Sequence, residues 1–132
     1  RRQWSLLKNT SLRYYMLNNF DKVMIETIVE HKCFEQRFPY KTFENIKDQT
    51  IAFKRTNLLF IFNFSPNNSY SDYKITVDPG EYKLLFSSDE IRFDGFDRVA
   101  LNNHYFSQTN NDNYTYISIY LPTRCALVLQ KL

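Results

Sequence analysis

Glycine is nearly absent from this chain. Gly80 and Gly95 are the only two in 132 residues, which excludes collagen-like and glycine-rich disordered classes. Cysteine is equally scarce: Cys33 and Cys125 stand alone. Neither has metal-type spacing to His31 or His104, so two reduced, half-buried thiols are expected and no metal or cofactor. No stretch of eighteen apolar residues occurs, and Arg1-Arg2-Gln3-Trp4 opens no signal-type segment; a soluble, cytoplasmic chain without membrane contact is expected. The Asn-X-Ser/Thr triplets at Asn9, Asn63, Asn67 and Asn113 then read as products of an Asn-rich composition. A basic stripe is missing too. The formal charge of +3 resides in residues 1–32, which carry six Lys/Arg against three Asp/Glu; the remainder carries eleven of each. That balance argues against a nucleic-acid partner.

What is present is apolar and aromatic. Leu58 to Phe62 has no polar face, so a strand there must be covered on both sides. Burying five such side chains is worth on the order of 10 kcal/mol, comparable to the net stability of a small domain. Thr50–Arg55 alternates in period two, and the Thr56-Asn57 pair joins it to that run as a hairpin. Residues 72–77 and 81–87 flank Asp78-Pro79-Gly80, where Pro and Gly suit the central turn positions. Tyr114–Leu121 alternates, Pro122-Thr123 turns, and Cys125–Leu129 closes the series. Cys33–Phe38 is a further strand candidate, and Ser88–Thr109 reads as irregular. About seven short strands with turns between them imply a mainly β, antiparallel β-sandwich.

Two short α-helices are expected before it. Ser11 can cap one through Leu12, Tyr15 and Met16; Asn18 or Asn19 can cap another with Phe20, Val23, Met24, Thr27 and Ile28 on one face. Ile25 and Val29 lie off that face. A helix apolar over more than half its surface needs contacts on two sides, so a sandwich alone would leave part of it uncovered. The implied division is 1–32 helical and 33–132 sandwich.

No short catalytic motif appears. Asp89, Glu90, Asp94 and Asp97 read as a solvated acidic loop rather than a catalytic pair or a calcium loop. Tyr70, Tyr73, Tyr114 and Tyr116, with Tyr105 and Tyr120, are the aromatic candidates for stacking on sugar rings. The first two read more naturally as a corner whose hydroxyls satisfy loop backbone, with Asp72 as a turn residue.

Arg1-Arg2-Gln3-Trp4-Ser5-Leu6, Leu17-Asn18-Asn19-Phe20-Asp21 and Leu59-Phe60-Ile61-Phe62-Asn63-Phe64-Ser65-Pro66 resemble the C-terminal part of glycogen branching enzymes. Ser69-Tyr70-Ser71-Asp72-Tyr73, Ser88-Asp89, Phe96-Asp97-Arg98 and Leu121-Pro122-Thr123-Arg124 with Ala126-Leu127 continue the resemblance in order. Asp94-Gly95-Phe96 departs from the usual Gly-Gly pair, and the insert-like segment after Pro39 is only loosely similar. The resemblance implies a glycosyltransferase of the α-amylase superfamily: a (β/α)8 barrel whose loops hold the catalytic carboxylates, followed by a C-terminal β-sandwich. It implies that residues 1–32 end the barrel and that the barrel is the missing partner. It places no catalytic residue in this chain and leaves Arg1 and Arg2 near the barrel's substrate side or an interface. α-Glucan contact by Tyr70, Tyr73, Tyr114 and Tyr116 is then a secondary role. A stand-alone carbohydrate-binding module and the C-terminal domain of an amylase-type hydrolase are the alternatives.

Overall fold

A computed structural model describes residues 3–132; the expectation for Arg1 and Arg2 lies outside them. One α-helix, α1 (Tyr14–Glu30), precedes nine strands among the described residues: β1 (Tyr40–Asn45), β2 (Thr50–Arg55), β3 (Leu58–Asn63), β4 (Tyr70–Thr76), β5 (Glu81–Ser87), β6 (His104–Phe106), β7 (Gln108–Thr109), β8 (Thr115–Leu121) and β9 (Cys125–Lys131). They form two antiparallel sheets, a six-stranded one ordered β1-β2-β3-β9-β5-β6 and a three-stranded one ordered β4-β8-β7.

The run Leu58–Phe62 sits inside the large sheet: Leu58, Leu59 and Ile61 are buried, whereas Phe60 and Phe62 on the outer face are only half-buried, so the cover its composition demands is complete on one face and partial on the other. Leu59 and Ile61 enter the core between the sheets with Ala52, Ile75, Leu84, Ile117, Ile119, Leu127 and Leu129. Leu58 faces outward, with Phe86, Val128 and Cys33, into a second core under Phe20, Val23, Met24 and Ile28 of α1. The helix is thus the cover for one half of the large sheet's outer face. The β2–β3 hairpin forms in the expected register, with Ile51 opposite Phe62 and Arg55 opposite Leu58. Its two-residue turn puts Thr56 in the left-handed region at φ 50°.

Several expectations need correction. The two helices are one. Asn18 and Asn19 lie within α1, facing solvent; the few tenths of a kcal/mol each loses in propensity are small beside the burial of Phe20, Val23, Met24 and Ile28. Ser11 caps no helix: its N–H and hydroxyl both donate to Asn9 Oδ1, at 3.0 and 2.6 Å. Cys33–Phe38 is no strand but a series of turns after the helix end. Lys32, at φ 52°, closes α1 with bonds from Lys32 N to Val29 O and Cys33 N to Ile28 O, the two-bond Schellman arrangement. Arg55 Nη1 then donates to the carbonyls of Cys33 and Gln36, and Gln36 Oε1 accepts from Thr56 N. Arg55 thus takes up two of the segment's carbonyls while Gln36 reaches the β2–β3 turn, and the sheet edge passes to β1. The irregular stretch Ser88–Thr109 contains β6, β7 and a 3-10 turn, Ile91–Phe93.

Two turns that resemble hairpin turns in sequence connect different sheets. Asp78-Pro79-Gly80 leads from β4 in the small sheet to β5 in the large one, and residues 122–124 lead from β8 back to β9. Asn63 secures the second corner. Its amide donates to the carbonyls of Asn68 at 2.9 Å and Pro122 at 3.0 Å, and its Oδ1 accepts from Ser65 N at 2.9 Å. Both its amide nitrogen and its oxygen are thus bonded inside the fold, as a buried amide requires.

Candidate functional site

The four candidate tyrosines fall into two separate pairs. Tyr70 and Tyr73 flank a bulge in β4, where Asp72 takes φ 51° and so turns both rings toward the β1–β2 end. Tyr73 OH donates to Asp48 Oδ2 at 2.7 Å and meets Thr50 Oγ1 at 2.9 Å, its ring edge-on to Phe43. Burial, with the Asp48 carboxylate beside it, pushes its phenol up to about 12. Tyr70 OH donates to the Asp48 carbonyl at 3.3 Å. Tyr70 therefore meets loop backbone as the sequence suggested, whereas the Tyr73 hydroxyl is committed to side chains, Asp48 and Thr50.

Tyr114 and Tyr116 lie at the start of β8 on the outer face of the small sheet. Their rings stack at 5.8 Å and 27°, with Lys74 Nζ 4.8 Å from the Tyr116 centroid. Lys74 pairs with Ser118, two residues beyond Tyr116, so Tyr116 is held between Lys74 and Tyr114 along the strand. Tyr116 OH donates to Gln108 Oε1, and Tyr114 OH accepts from Thr76 Oγ1. The ring faces are largely spent within the stack; Tyr114 alone retains one toward solvent.

The acidic loop is solvated as expected at Asp94 and Asp97 but not at Asp89 and Glu90. Asp89 and Glu90 are 5% and 3% exposed. Asp89 accepts from Arg98 N at 2.9 Å, Arg98 Nε at 2.9 Å and Arg98 Nη2 at 2.7 Å, with Phe96 N at 3.3 Å. Burial alone would raise this carboxyl, but the Arg98 and backbone donors outweigh it and hold it below the usual carboxylate value. Glu90 accepts from Ser87 N at 2.9 Å and pairs with Arg92 at 2.6 Å. Asp94 pairs with Arg13 from the turn before α1. Asp89 thus closes the loop on itself, while Glu90 and Asp94 tie it to the end of β5 and to the segment before α1. Sequence reasoning missed this because Arg92 and Arg98 lie two and nine residues on, in a stretch without periodicity, and Arg13 comes from a distant part of the chain. Nor do the histidines gather around a thiol: His31 Nδ1 meets Asn57 Oδ1 at 3.2 Å, and His104 pairs with Glu81 across β5 and β6.

The other feature is uncovered apolar surface, in two parts. Tyr14, Ile25 and Val29 form a second stripe on α1, away from the sheet, and Val29 is 68% exposed. Past the helix, the outer face of the large sheet carries a stacked row, Phe53 with Phe60 and Phe62, then Phe62 with Phe64, at 5.1–5.8 Å between centroids. Phe34, Phe38, Ile46 and Phe64 around it are exposed. Single exposed apolar residues are ordinary, but a contiguous field of this kind marks a contact surface.

A mainly antiparallel β body with two facing sheets and one helix on its outer face defines the class. Residues 40–131 match the family described as "Alpha amylase, C-terminal all-beta domain", and the chain belongs to that family. Its similarity extends past the β-domain through α1. It is 39% identical to the 1,4-alpha-glucan-branching enzyme of Saccharomyces cerevisiae over 132 residues, covering 98% of this chain and 19% of that protein. The corresponding horse enzyme is 39% identical over 137 residues, with 98% and 19% covered. That of Dictyostelium discoideum is 36% identical over 134, with 99% and 20% covered. The chain thus spans about a fifth of the length of these curated relatives.

Proposed function

We propose that this chain is the C-terminal portion of a 1,4-α-glucan branching enzyme, a glycosyltransferase forming α-1,6 branches, and that it completes and supports the catalytic barrel. The observation that carries the reading is the uncovered apolar surface on the side of the large sheet. Agreement with branching enzymes along nearly the whole chain, α1 included, supports the assignment of the rest of the polypeptide. On this reading residues 1–32 belong to the end of the barrel and 33–132 to the β-domain. Helix α1 is the hinge piece: one apolar face packs on the sheet, and the second stripe, Tyr14, Ile25 and Val29, meets the barrel. The catalytic carboxylates lie outside the chain, which leaves Asp89 and Glu90 their structural pairs. Buried, separate Cys33 and Cys125 suit a reducing cytoplasm.

The test uses the full-length polypeptide on amylose. Branching lowers iodine absorbance without releasing reducing ends, and the 132-residue chain alone is inert. Reducing-sugar release without new branches would instead assign a hydrolase, and branching by the chain alone would refute the placement of the carboxylates. Ile25→Glu should destabilise the full-length protein while leaving the isolated chain's melting unchanged. Equal effects on both would remove the helix from the seam.

A further inference from the structure

Among the described residues, Thr42 Oγ1 is the one buried side-chain oxygen or nitrogen that finds no hydrogen-bond partner. It owes its place to a bulge. Lys41 lies opposite Phe53 and Phe43 opposite Ala52, so Thr42 has no partner residue in β2. In regular alternation it would face away from Phe43, which packs on the core between the sheets; the extra residue re-aims it inward. There it lines a cavity of about 20 Å³ with Lys54, Asp78, Tyr82 and Lys131. A water-sized body needs roughly 10–15 Å³ of such space, so the cavity takes one.

The polar lining is made mostly of donors. Lys54 Nζ gives one proton to Asp78 Oδ2 at 2.5 Å, beside the Tyr40 ring, and keeps the rest. Among the described residues no carboxylate pairs with Lys131. Its stem crosses the corner at Gly80, where a Cβ would stand 2.9 Å from Lys131 Cε; the glycine leaves it room. The acceptors are already engaged: Asp78 O takes the Tyr82 hydroxyl at 2.8 Å, and Asn57 Oδ1 meets His31. Thr56 Oγ1 is turned to the His31 carbonyl. Two ammoniums against one carboxylate leave the lining one positive charge in excess, and no other charged residue borders the cavity. A water needs acceptors as well as donors; an anion needs donors only. The volume has no room for a four-oxygen anion such as phosphate or sulfate.

We propose that this cavity binds one chloride-sized monovalent anion, held by the Thr42 hydroxyl of β1, Lys54 of β2 and Lys131 of β9. The ion gives the orphaned hydroxyl an acceptor and offsets the surplus charge. It also ties the edge strand β1 to the centre of the large sheet and to the 78–80 corner. The side chains of Lys54 and Asp78 are 32% and 48% exposed, so the ion enters and leaves past them without opening the sheets.

The experiment uses the full-length polypeptide and three readouts. Chloride affinity is taken from chlorine NMR line broadening, displaced by bromide; bromide is located by anomalous diffraction; and thermal unfolding is followed in chloride, bromide and gluconate at equal ionic strength. Wild type should broaden the chloride line, and a bromide peak should stand between Thr42 Oγ1 and the two ammoniums. Thr42→Val keeps the shape and the β-branch but removes the hydroxyl; it should weaken halide binding about tenfold, as loss of a hydrogen bond to a charge does. Lys131→Met keeps the stem and should abolish binding. The difference in melting between wild type and Thr42→Val cancels general salt effects; it should grow and saturate with halide and stay flat in gluconate, where the valine melts no lower. A melting difference that ignores the anion, halide binding undiminished in both variants, or a bromide map featureless at the cavity would each overturn the site and leave a pocket for water.

Discussion

Replacing Arg98 with Met tests how the 88–98 loop is held. The change keeps a long side chain beside Phe96 but removes the two side-chain donors to Asp89, leaving a carboxylate 5% exposed with only the backbone donors of Phe96 and Arg98. Breaking a buried pair from one side typically costs about 3–5 kcal/mol. At about 4 °C per kcal/mol for a chain of this size, the melting temperature should fall by roughly 10–20 °C. The pH dependence supplies a sharper check. In the parent, Asp89 is held below its ordinary value, so its contribution is present above the unfolded carboxylate pKa of about 3.9 and is lost as pH falls through the depressed folded value. In the variant, burial acts without Arg98 and pushes the folded pKa upward. The deficit should therefore be largest near neutrality and shrink toward about pH 4, where protonation removes the buried charge. Thermal unfolding followed by circular dichroism at several pH values measures both. A further Asp89→Asn change should recover part of the loss, since no buried charge remains unpaired. A neutral-pH loss below about 1 kcal/mol, or a deficit equal at pH 7 and pH 4, would refute the reasoning.

Asn63→Ala removes the ties from β3 to the β8–β9 corner and strands buried backbone groups; urea unfolding should show a loss of about 2–3 kcal/mol, and a neutral result would mean that water replaces the amide. The thiols of Cys33 and Cys125, 1% and 3% exposed and pushed up by burial, should resist iodoacetamide at pH 8 in the native state and react in denaturant; fast native labelling would show that the strands around them open.

The strands of greatest consequence were legible because their patterns are local. Alternation in Thr50–Arg55 beside an unbroken apolar run announced the β2–β3 hairpin, and an apolar run with no polar face requires two covers whatever supplies them. Strand β1 was missed because its residues alternate poorly and most stay exposed or half-buried; it forms by edge pairing with β2. Asp78-Pro79-Gly80 and Pro122-Thr123 were recognisable as turns but not as crossings, since the same residues serve a hairpin and a corner. Of the candidate site, the corner role of Tyr70 was readable from its polar neighbours; the side-chain partners of Tyr73 were not. The stacking of Tyr114 on Tyr116 is a contact between i,i+2 neighbours, but the approach of Lys74 to Tyr116 comes only from the pairing of β4 with β8.

By itself, then, the sequence determined the β content, the two-sided demand of Leu58–Phe62, the surplus of apolar surface on the helix and the family resemblance, all properties of neighbouring residues or of their order. Only the tertiary structure decided which sheet each strand joined, that α1 is continuous and covers half a sheet, and that Asp89 and Glu90 are buried with arginines while Phe96 is left bare. The physical reason is that burial and pairing are set by where the folded backbone brings each group, even between residues two and nine apart such as Glu90–Arg92 and Asp89–Arg98. A carboxylate reads the same in sequence whether water or a guanidinium faces it, and a phenyl ring reads the same in a core or at the surface.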